Sequence, residues 1–392
     1  VRALMEKRMV VLELPPSLKP RLSKGHPWVY RNHVRELPEM PSGTWVRVTC
    51  GGFSAIGLWD ADSAIAVRIF SRHHVPDQTW VADRVREAWK LRAAVRAGAT
   101  NAYRWVYGES DGLPGIVVDL YDRYAVIVAY AESVQGLVPW IAEALHAHVD
   151  LQGILLRPAD GGRLRSLWGR LPPPDLVVEE HGILYYADLE AGQKSGLYFD
   201  QRENRLAVGP WCQGKRVLDC FCYVGGFALH AAHRGAQQVI LCDAAAAAVE
   251  AAQKNFALNG LEPTRHEFIT QDGFELLGDF AAEGRKFDVV ILDPPSFARD
   301  RKSRRAAERA YVRLNHLALG CVRPGGLLAS ASCTSQVSPE MFREALAEAA
   351  RRANRRLITV HDAGQPVDHP VPVHFHEARY LKFVISRVMP LL

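Results

Sequence analysis

Near the start of the chain, apolar and polar residues alternate in short runs that Pro, Ser and Gly separate. This pattern is typical of strands joined by turns. The predicted strands are 9–14, 45–49, 55–59 and 66–70. From Thr79 to about Arg96 the apolar residues instead recur every three or four positions, which predicts a helix. We therefore predict a small β-rich domain over residues 1–78.

The spacing of apolar residues changes again in the next hundred residues. Residues 115–130 alternate as strands do, and residues 134–148 return to helical spacing. The three prolines Pro172–Pro174 indicate a linker, and a strand is predicted at residues 182–188. These features predict a central α+β domain over residues 79–190.

The last half of the chain alternates regularly between strand and helix. The predicted strands are 216–219, 238–243, 287–293 and 326–332, and the predicted helices are 225–234, 244–259, 304–321 and 338–352. Strands as apolar as these predict a parallel sheet with helices on both faces. We therefore predict an α/β, Rossmann-like domain over residues 191–392.

A glycine-containing loop and three acids mark a candidate cofactor site in this domain. The loop carries Phe221, Tyr223 and Gly225 between a strand that ends at Asp219 and a helix, and it lacks the GxGxxG spacing of dinucleotide folds. Asp243, at the end of the second strand, can accept hydrogen bonds from both ribose hydroxyls, and Asp272 is expected to meet an adenine amino group. No phosphate-binding loop is present, so S-adenosyl-L-methionine fits better than a nucleoside triphosphate. The alternative is that each acid only caps a helix.

The fourth strand of the predicted sheet leads into Asp293, Pro294, Pro295 and, one residue further on, Phe297. Two prolines stiffen such a loop, so it can form a rigid wall of a base pocket. The Asp293 carboxyl can hydrogen-bond the amidine-like edge of a base. The alternative is an ordinary turn.

Cys333 follows the next predicted strand and should lie level with Asp293 at the same edge of the sheet. A cysteine thiolate can add to carbon 6 of cytosine, which makes carbon 5 nucleophilic enough to accept a methyl group. Asp293, protonated or hydrogen-bonded at ring nitrogen 3, would stabilise the charged intermediate. The alternative for Cys333 is a small buried apolar residue, the interpretation that we favour for Cys220, Cys222, Cys242 and Cys321.

The formal net charge of +5 is only mildly basic, but one segment is strongly so. Residues 299–309 contain six basic and two acidic side chains directly after the Asp-Pro-Pro motif. This position favours contacts with RNA phosphates over an ordinary solvated helix face. The candidate substrate-binding residues are Pro294, Pro295, Phe297, Arg299, Arg301, Lys302, Arg304 and Arg305.

Other classes of protein are disfavoured. The seven cysteines show no paired spacing typical of disulfides or zinc, so we expect reduced thiols, a cytoplasmic protein and no metal. No apolar run approaches the length of about 18 residues that a membrane span needs.

Several long motifs also resemble one known family. They include KGHPWVY at Lys24–Tyr30, GESDGLPGIVVD at Gly108–Asp119, EEHGI at Glu179–Ile183, KSGLYFDQRENR at Lys194–Arg205, CFCYVGGF, LDPPSF, SCT and the closing RYLK. The chain resembles bacterial large-subunit rRNA cytosine-C5 methyltransferases, which combine an N-terminal PUA domain, a central domain and a class I methyltransferase domain that binds S-adenosyl-L-methionine.

The resemblance implies roles for individual residues. Asp219, Gly225, Asp243 and Asp272 would surround the methyl donor, Gln201 and Arg202 would frame its pocket, and Cys333 would be the nucleophile. The chain departs from the family pattern at Val224 and Thr334, where Thr and Ser are more usual. Two alternatives stay open: methylation of a base nitrogen by an enzyme of the Asp-Pro-Pro-aromatic type, and a non-catalytic RNA-binding assembly factor.

Overall fold

The computed structural model describes residues 9–160, 162–190, 197–298, 300 and 302–391, which form two compact units. The first contains the described residues of 1–178, 187–199 and 367–378. The second contains those of 179–186, 200–366 and 379–392. None of the helices in these described ranges has the length and apolar character needed to cross a membrane.

The first unit is built on two five-stranded sheets. Their orders are β1-β3-β4-β5-β2 and β10-β9-β8-β7-β6, and α2 and α4 contribute to the core of the second. The elements are β1 (Val10–Glu13), α1 (Lys19–Ser23), β2 (Trp28–Tyr30), β3 (Trp45–Cys50), β4 (Phe53–Trp59), β5 (Ile65–Ser71), α2 (Gln78–Leu91), α3 (Ala93–Arg96), β6 (Ala102–Tyr107), β7 (Ile116–Tyr121), β8 (Tyr124–Ala129), α4 (Val138–His146), β9 (Gly153–Pro158) and β10 (Arg165–Gly169). The β-rich and α+β character predicted for this half is confirmed.

The helix predicted from Thr79 to Arg96 is interrupted at Arg92, whose side chain forms a buried ion pair. The Arg92 side chain is fully buried and donates two hydrogen bonds to Asp111, at 2.6 and 2.7 Å, and a third to the Asp368 carbonyl at 2.9 Å. The apolar periodicity of residues 79–96 cannot reveal hydrogen-bond partners at positions 111 and 368. Asp368 also accepts a hydrogen bond from the backbone N–H of Arg104. Residues 367–378 thus belong to the first unit.

The second unit contains a seven-stranded sheet with the order β15-β14-β13-β16-β17-β19-β18. A two-stranded hairpin of β11 and β12 precedes it. The elements are β11 (Val177–Glu180), β12 (Ile183–Tyr186), α5 (Arg202–Val208), β13 (Arg216–Cys220), α6 (Gly226–His233), β14 (Gln238–Asp243), α7 (Ala246–Leu258), β15 (Glu267–Thr270), α8 (Gly273–Ala282), β16 (Phe287–Leu292), α9 (Arg304–Cys321), β17 (Val322–Ser332), α10 (Pro339–Arg352), β18 (Arg355–Ala363) and β19 (Lys382–Pro390). The predicted Rossmann-like domain is confirmed.

The order of the strands determines where a site can form. β14 and β15 lie on one side of β13, whereas β16 and β17 lie on the other, so the direction of winding reverses between β13 and β16. All five of these strands are parallel, and their carboxyl ends meet at one edge. Ligands of such sheets bind outside this edge at the point of reversal. The antiparallel strands β18 and β19, which the sequence pattern did not predict, complete the sheet beyond β17.

The Arg92–Asp111 pair generates a prediction for the stability of the first unit. Asp111→Ala should lower its free energy of unfolding by about 3–5 kcal/mol, because Arg92 would keep its charge in the interior without a carboxylate. Urea denaturation followed by the fluorescence of Trp89 and Trp105, which pack in this core, measures the loss. In the control Asp83→Ala, the carboxylate removed is an exposed partner of Arg86, so the change should stay below about 1 kcal/mol. Equal losses in the two variants would contradict the prediction.

Candidate active site

The loop between β13 and α6 has an unusual backbone. Phe221, Tyr223 and Gly225 all adopt left-handed conformations, with φ of 65°, 49° and 84°. For the two residues that are not glycine, such a conformation costs about 1–3 kcal/mol and is found mainly where the surroundings enforce it. One such restraint is a hydrogen bond from the Tyr223 backbone N–H to Asp243 Oδ2 at 3.0 Å, which ties the loop to the end of β14.

Side chains would not fit at the glycines of this region. An added Cβ would lie 3.1 Å from Ala252 Cβ at Gly225 and 2.9 Å from Arg205 Cδ at Gly226. At Gly273 the Cβ would lie only 2.7 Å from the tip of the Phe221 ring, which therefore rests against the start of α8. The loop is thus closely packed from below, and this packing fixes the path of its backbone.

The three acids predicted for the cofactor have different environments. Asp219 is fully buried, and its Oδ2 accepts a hydrogen bond from the Ala228 backbone N–H at 3.0 Å. Its Oδ1 is buried and has no partner among the described residues. Burial, reinforced by the nearby Asp293 and Asp243 charges, raises the pKa of Asp219 well above its ordinary value. A buried acceptor at the sheet edge is suited to a ligand that donates hydrogen bonds.

Asp243 and Asp272 have the helix-capping contacts that the sequence left open as an alternative. Asp243 Oδ1 accepts a hydrogen bond from the Ala245 backbone N–H at 3.0 Å, just before α7. Asp272 is exposed and accepts hydrogen bonds from the Phe274 and Glu275 backbone N–H groups at the start of α8. These bonds orient both carboxyl groups at the sheet edge.

A buried charge cluster lies beneath the glycine loop, and it was not predicted, although its residues lie in two of the quoted motifs. Glu180 accepts hydrogen bonds from Arg205 at 2.7 and 2.5 Å and lies 3.3 Å from His230 Nε2. Burial alone would raise the pKa of Glu180, but the Arg205 charge and the hydrogen bonds from His230 and Arg205 hold it well below its ordinary value. The hydrogen bonds to Glu180 fix the position of Arg205, whose side chain packs against Gly226. The pattern EEHGI…QRENR was the available signal.

Gln201 directly precedes α5, Arg202 begins it, and both side chains are buried. Gln201 Nε2 donates a hydrogen bond to Asp293 Oδ1 at 2.8 Å, and Asn204 Nδ2 donates one to Gln201 Oε1 at 2.6 Å. Arg202 Nε donates to Glu203 at 3.1 Å. Gln201 therefore orients the acid of the Asp-Pro-Pro motif.

The structure brings the Asp293 loop and the Cys333 loop together. Cys333 Sγ lies 4.0 Å from the Pro294 carbonyl oxygen. The Thr334 hydroxyl lies 3.2 Å from Ser296 Oγ and 2.7 Å from the Tyr311 hydroxyl, and it accepts the Phe297 backbone N–H. Thr334, the residue after Cys333, thus connects the Cys333 loop to the Asp293 loop and, through Tyr311, to α9.

Exposure distinguishes Cys333 from the other cysteines. Cys333 is partly exposed, whereas the remaining six are buried: Cys50, Cys212, Cys220, Cys222, Cys242 and Cys321. The buried environment of Cys220, Cys222, Cys242 and Cys321 agrees with the interpretation of those residues as apolar core. Cys333 lies instead at the edge of the sheet where a ligand can reach it.

The remaining residues proposed to bind substrate differ in exposure. Pro294 is buried and Pro295 is exposed. Phe297 is half-buried, with its ring centre 4.8 Å from that of Tyr311. Lys302, Arg304 and Arg305 are exposed, and Arg304 lies 3.6 Å from Glu308. Arg299 and Arg301 lie outside the described residues.

The position of the exposed cations is informative. Arg304 and Arg305 occupy the first turn of α9, where the helix dipole disfavours positive charge by about 0.3–1 kcal/mol. The helix dipole therefore does not explain these cations; Arg304 has Glu308 as an ion-pair partner, and contact with a bound anion would favour both arginines. No group of three His, Cys, Asp or Glu in the described part of the chain could hold a metal ion.

Comparisons with known proteins identify the family of this chain. A family model described as S-adenosylmethionine-dependent methyltransferase matches residues 157–373, and one described as a PUA-like domain matches residues 12–72. The chain is 35% identical over 394 residues to the ribosomal RNA large subunit methyltransferase I of Shewanella amazonensis, covering 96% of this chain and 99% of that protein. It is 34% identical to the protein of that name from Klebsiella pneumoniae, covering 94% and 96%.

Two solved structures share the fold over nearly the whole chain. A SAM-dependent methyltransferase from Streptococcus mutans has a TM-score of 0.85 at 19% identity, covering 97% of this chain and 100% of that one. A methyltransferase solved in complex with SAH has a TM-score of 0.86 at 21% identity, covering 96% and 100%. The chain therefore belongs to the S-adenosylmethionine-dependent methyltransferases, in the family of the ribosomal RNA large subunit methyltransferase I proteins.

Proposed function

We propose that this protein methylates carbon 5 of a cytosine in large-subunit rRNA and that Cys333 is its nucleophile. The observation that carries the proposal is the position of Cys333: a partly exposed thiol at the sheet edge, 4.0 Å from the Asp-Pro-Pro loop. The named relatives are rRNA methyltransferases, which supports the substrate class. We also propose that the reaction takes place in the cytoplasm, the location that the sequence predicts.

The residues of the β13–α6 loop and the neighbouring strand ends fit S-adenosyl-L-methionine. The buried Asp219 Oδ1 needs a donor, and Gly225 allows the left-handed turn of a loop that packs against Ala252. We assign the cofactor to Asp219, Phe221, Tyr223, Gly225, Asp243 and Asp272, with Gln201 and Arg202 at the border of the pocket. When bound, the cofactor supplies an electrophilic methyl group.

The protein's own groups would carry the rest of the reaction. The thiol of Cys333 releases its proton to solvent, and its sulfur forms a bond to carbon 6 of the cytosine, which moves the electron pair of the carbon 5–carbon 6 double bond toward carbon 5. After carbon 5 has gained the methyl group, a base removes the carbon-5 proton. The electrons of that C–H bond restore the ring double bond, and the Cys333–carbon 6 bond breaks.

Asp293 is suited to hold the cytosine during these steps. Its carboxyl is oriented by Gln201 and lies at the end of the strand next to that of Cys333. In its protonated form, the Asp293 carboxyl would donate a hydrogen bond to ring nitrogen 3 and so stabilise the negative charge that thiolate addition places on the ring. Pro294 and Pro295 would keep this wall rigid.

The packing of Phe297 disfavours methylation of a base nitrogen. Such an enzyme would stack the base on the aromatic ring after Asp-Pro-Pro, but Phe297 packs against Tyr311 and lies near Phe274. The reaction would also leave Cys333 without a function. A non-catalytic assembly factor would not need a partly exposed thiol beside an oriented acid.

RNA binding is assigned to two parts of the chain. We propose that Lys302, Arg304 and Arg305, together with Arg299 and Arg301, contact phosphates near the base pocket. We further propose that residues 1–78 act as the PUA-like RNA-binding domain, residues 79–190 as the central domain and residues 191–392 as the catalytic domain. The match of a PUA-like model to residues 12–72 supports the first assignment.

The donor site can be tested at Gly225. Gly225→Ala should weaken binding of S-adenosylhomocysteine at least tenfold, because the new methyl group would press on Ala252 and alanine resists a φ of 84°. Isothermal titration calorimetry measures the affinity. Gly214→Ala is the matched control, since Gly214 has a φ of 67° and open space around it. Equal affinities of the two variants would count against the assigned loop.

The nucleophile can be tested by trapping. Wild-type protein should form a covalent adduct with rRNA that contains 5-fluorocytosine, because fluorine replaces the proton whose removal releases the enzyme. Cys333→Ser should form none on a denaturing gel. Cys50→Ser is the control, since its buried thiol donates to the Pro15 carbonyl and a hydroxyl can do the same. An adduct with Cys333→Ser would exclude the assigned nucleophile.

The basic segment can be tested through salt dependence. Changing Arg304 and Arg305 together to Gln should weaken rRNA binding and reduce the slope of log affinity against log salt by about 1–2, or about 0.7–0.9 for each phosphate that is no longer neutralised. Filter binding between low and moderate salt measures this slope. Changing Arg351 and Arg352 to Gln removes the same charge from another helix and should leave the slope unchanged. A similar decrease of the slope in both variants would indicate a non-specific effect of net charge.

A further inference from the structure

Lys382 is a buried cation beside the proposed nucleophile. It begins β19, pairs in register with Ser332 of β17 and is only 4% exposed. Its ammonium group donates hydrogen bonds to the carbonyl oxygens of Thr334, at 2.7 Å, and Tyr380, at 2.8 Å. Buried lysines are rare unless they are paired, so this one needs an explanation.

The partners of Lys382 do not neutralise its charge. Both carbonyl oxygens are neutral, and no carboxylate in the described part of the chain lies within 4 Å of the ammonium nitrogen. Burial lowers the pKa of Lys382 to about 8, so most molecules carry the charge at neutral pH. An uncompensated ammonium group in the interior favours any anion that can form near it.

Cys333 is the group that can supply this anion. The carbonyl that anchors Lys382 belongs to Thr334, the residue directly after Cys333. Among the described residues, Cys333 is the one whose charge raises the pKa of Lys382. By the same interaction, the ammonium group favours the thiolate over the thiol.

We propose that Lys382 is a positioning residue that activates Cys333: its charge stabilises the thiolate, and its hydrogen bond to Thr334 fixes the turn that carries the sulfur. This inference rests on the proposed function, in which Cys333 attacks carbon 6 of the base. It assigns a role to the closing RYLK motif, to which neither the resemblance nor the proposed reaction gives one.

Three other ionisable groups in the described part of the site, a tyrosine and two acids, do not supply a positive charge. Tyr311, on α9, binds the Thr334 hydroxyl, and burial raises its pKa to about 12, so it stays neutral. Asp293, at the end of the neighbouring strand, is oriented by Gln201, and Asp200 accepts the hydroxyl of Tyr380, whose carbonyl binds Lys382. Acids disfavour a thiolate, whereas the buried Lys382 ammonium group beside Thr334 favours it.

The sign of the pH dependence follows from these groups. Below about pH 8, Lys382 is cationic and favours the thiolate. A thiolate close to the ammonium group in turn raises the pKa of Lys382, so the lysine keeps its proton to higher pH. The wild-type thiol should therefore react with iodoacetamide at lower pH than the same cysteine in the unfolded chain. Removal of the charge should shift the reaction to higher pH.

The test measures alkylation of Cys333 in the full-length chain between pH 5.5 and 9.5, by mass spectrometry of the peptide that contains it. Lys382→Gln keeps donors for both carbonyl oxygens but removes the charge, whereas Lys382→Arg keeps the charge. The midpoint should rise by about one pH unit or more in Lys382→Gln, which is about a tenfold loss of thiolate at neutral pH. It should stay near the wild-type value in Lys382→Arg and in the exposed control Lys215→Gln.

A midpoint in Lys382→Gln equal to that of the wild type would overturn the proposal, since a purely structural role would not move it. Lys382→Gln is judged unfolded if it loses S-adenosylhomocysteine binding. In that case the alkylation midpoint of the folded wild type is compared with that of the urea-unfolded chain. A wild-type midpoint at or above that of the urea-unfolded chain would then refute activation. The 5-fluorocytosine adduct is an independent readout: its absence, with a lowered midpoint, would reject carbon methylation and leave the activation of Cys333 intact.

Discussion

The parallel pairing of β13, β16 and β17 is the constraint on which the site depends. Cys220 lies opposite Leu292, and Leu292 lies opposite Ser330, so the three strands end almost level with one another. A shift in this register would move the acid and the thiol apart along the strands, because each residue adds about 3.3 Å. The strand register alone therefore brings the acid and the thiol to the same edge of the sheet, without direct contacts between the two side chains.

A second requirement is that the glycine loop keeps a backbone conformation that its own residues do not favour. The loop contains two left-handed residues other than glycine, and the structure beneath it is closely packed. Arg205 fills the space below Gly226, and Glu180 fixes Arg205 from the β11–β12 hairpin. Since a buried arginine without its carboxylate is strongly destabilising, the pair enforces one geometry. The β11–β12 hairpin, which lies outside the seven-stranded sheet, therefore helps to fix the backbone of the loop that follows β13.

The sequence predicted the parts of the fold that repeat locally. The strands β13, β14, β16 and β17 and the helices between them show clear apolar periodicity, and Asp293 and Cys333 could be placed because both follow such strands. The antiparallel strands β18 and β19 were missed, and in β18 the apolar residues Ile358 and Val360 are exposed, so their spacing gives a weak signal. The interruption at Arg92, the Glu180–Arg205 pair and Lys382 depend on partners far apart in the sequence, which no local pattern contains.

Thr334 shows how the two halves of the site are coupled. Its hydroxyl binds the Asp-Pro-Pro loop and Tyr311, while its carbonyl accepts the Lys382 ammonium group. A serine at this position, the residue that the family resemblance leads us to expect, would keep both kinds of bond. The extra methyl group of threonine restricts the rotation of the side chain about χ1 and so favours a single orientation of the hydroxyl. The departure from the family pattern thus preserves the hydrogen bonds that hold the thiol next to the base pocket.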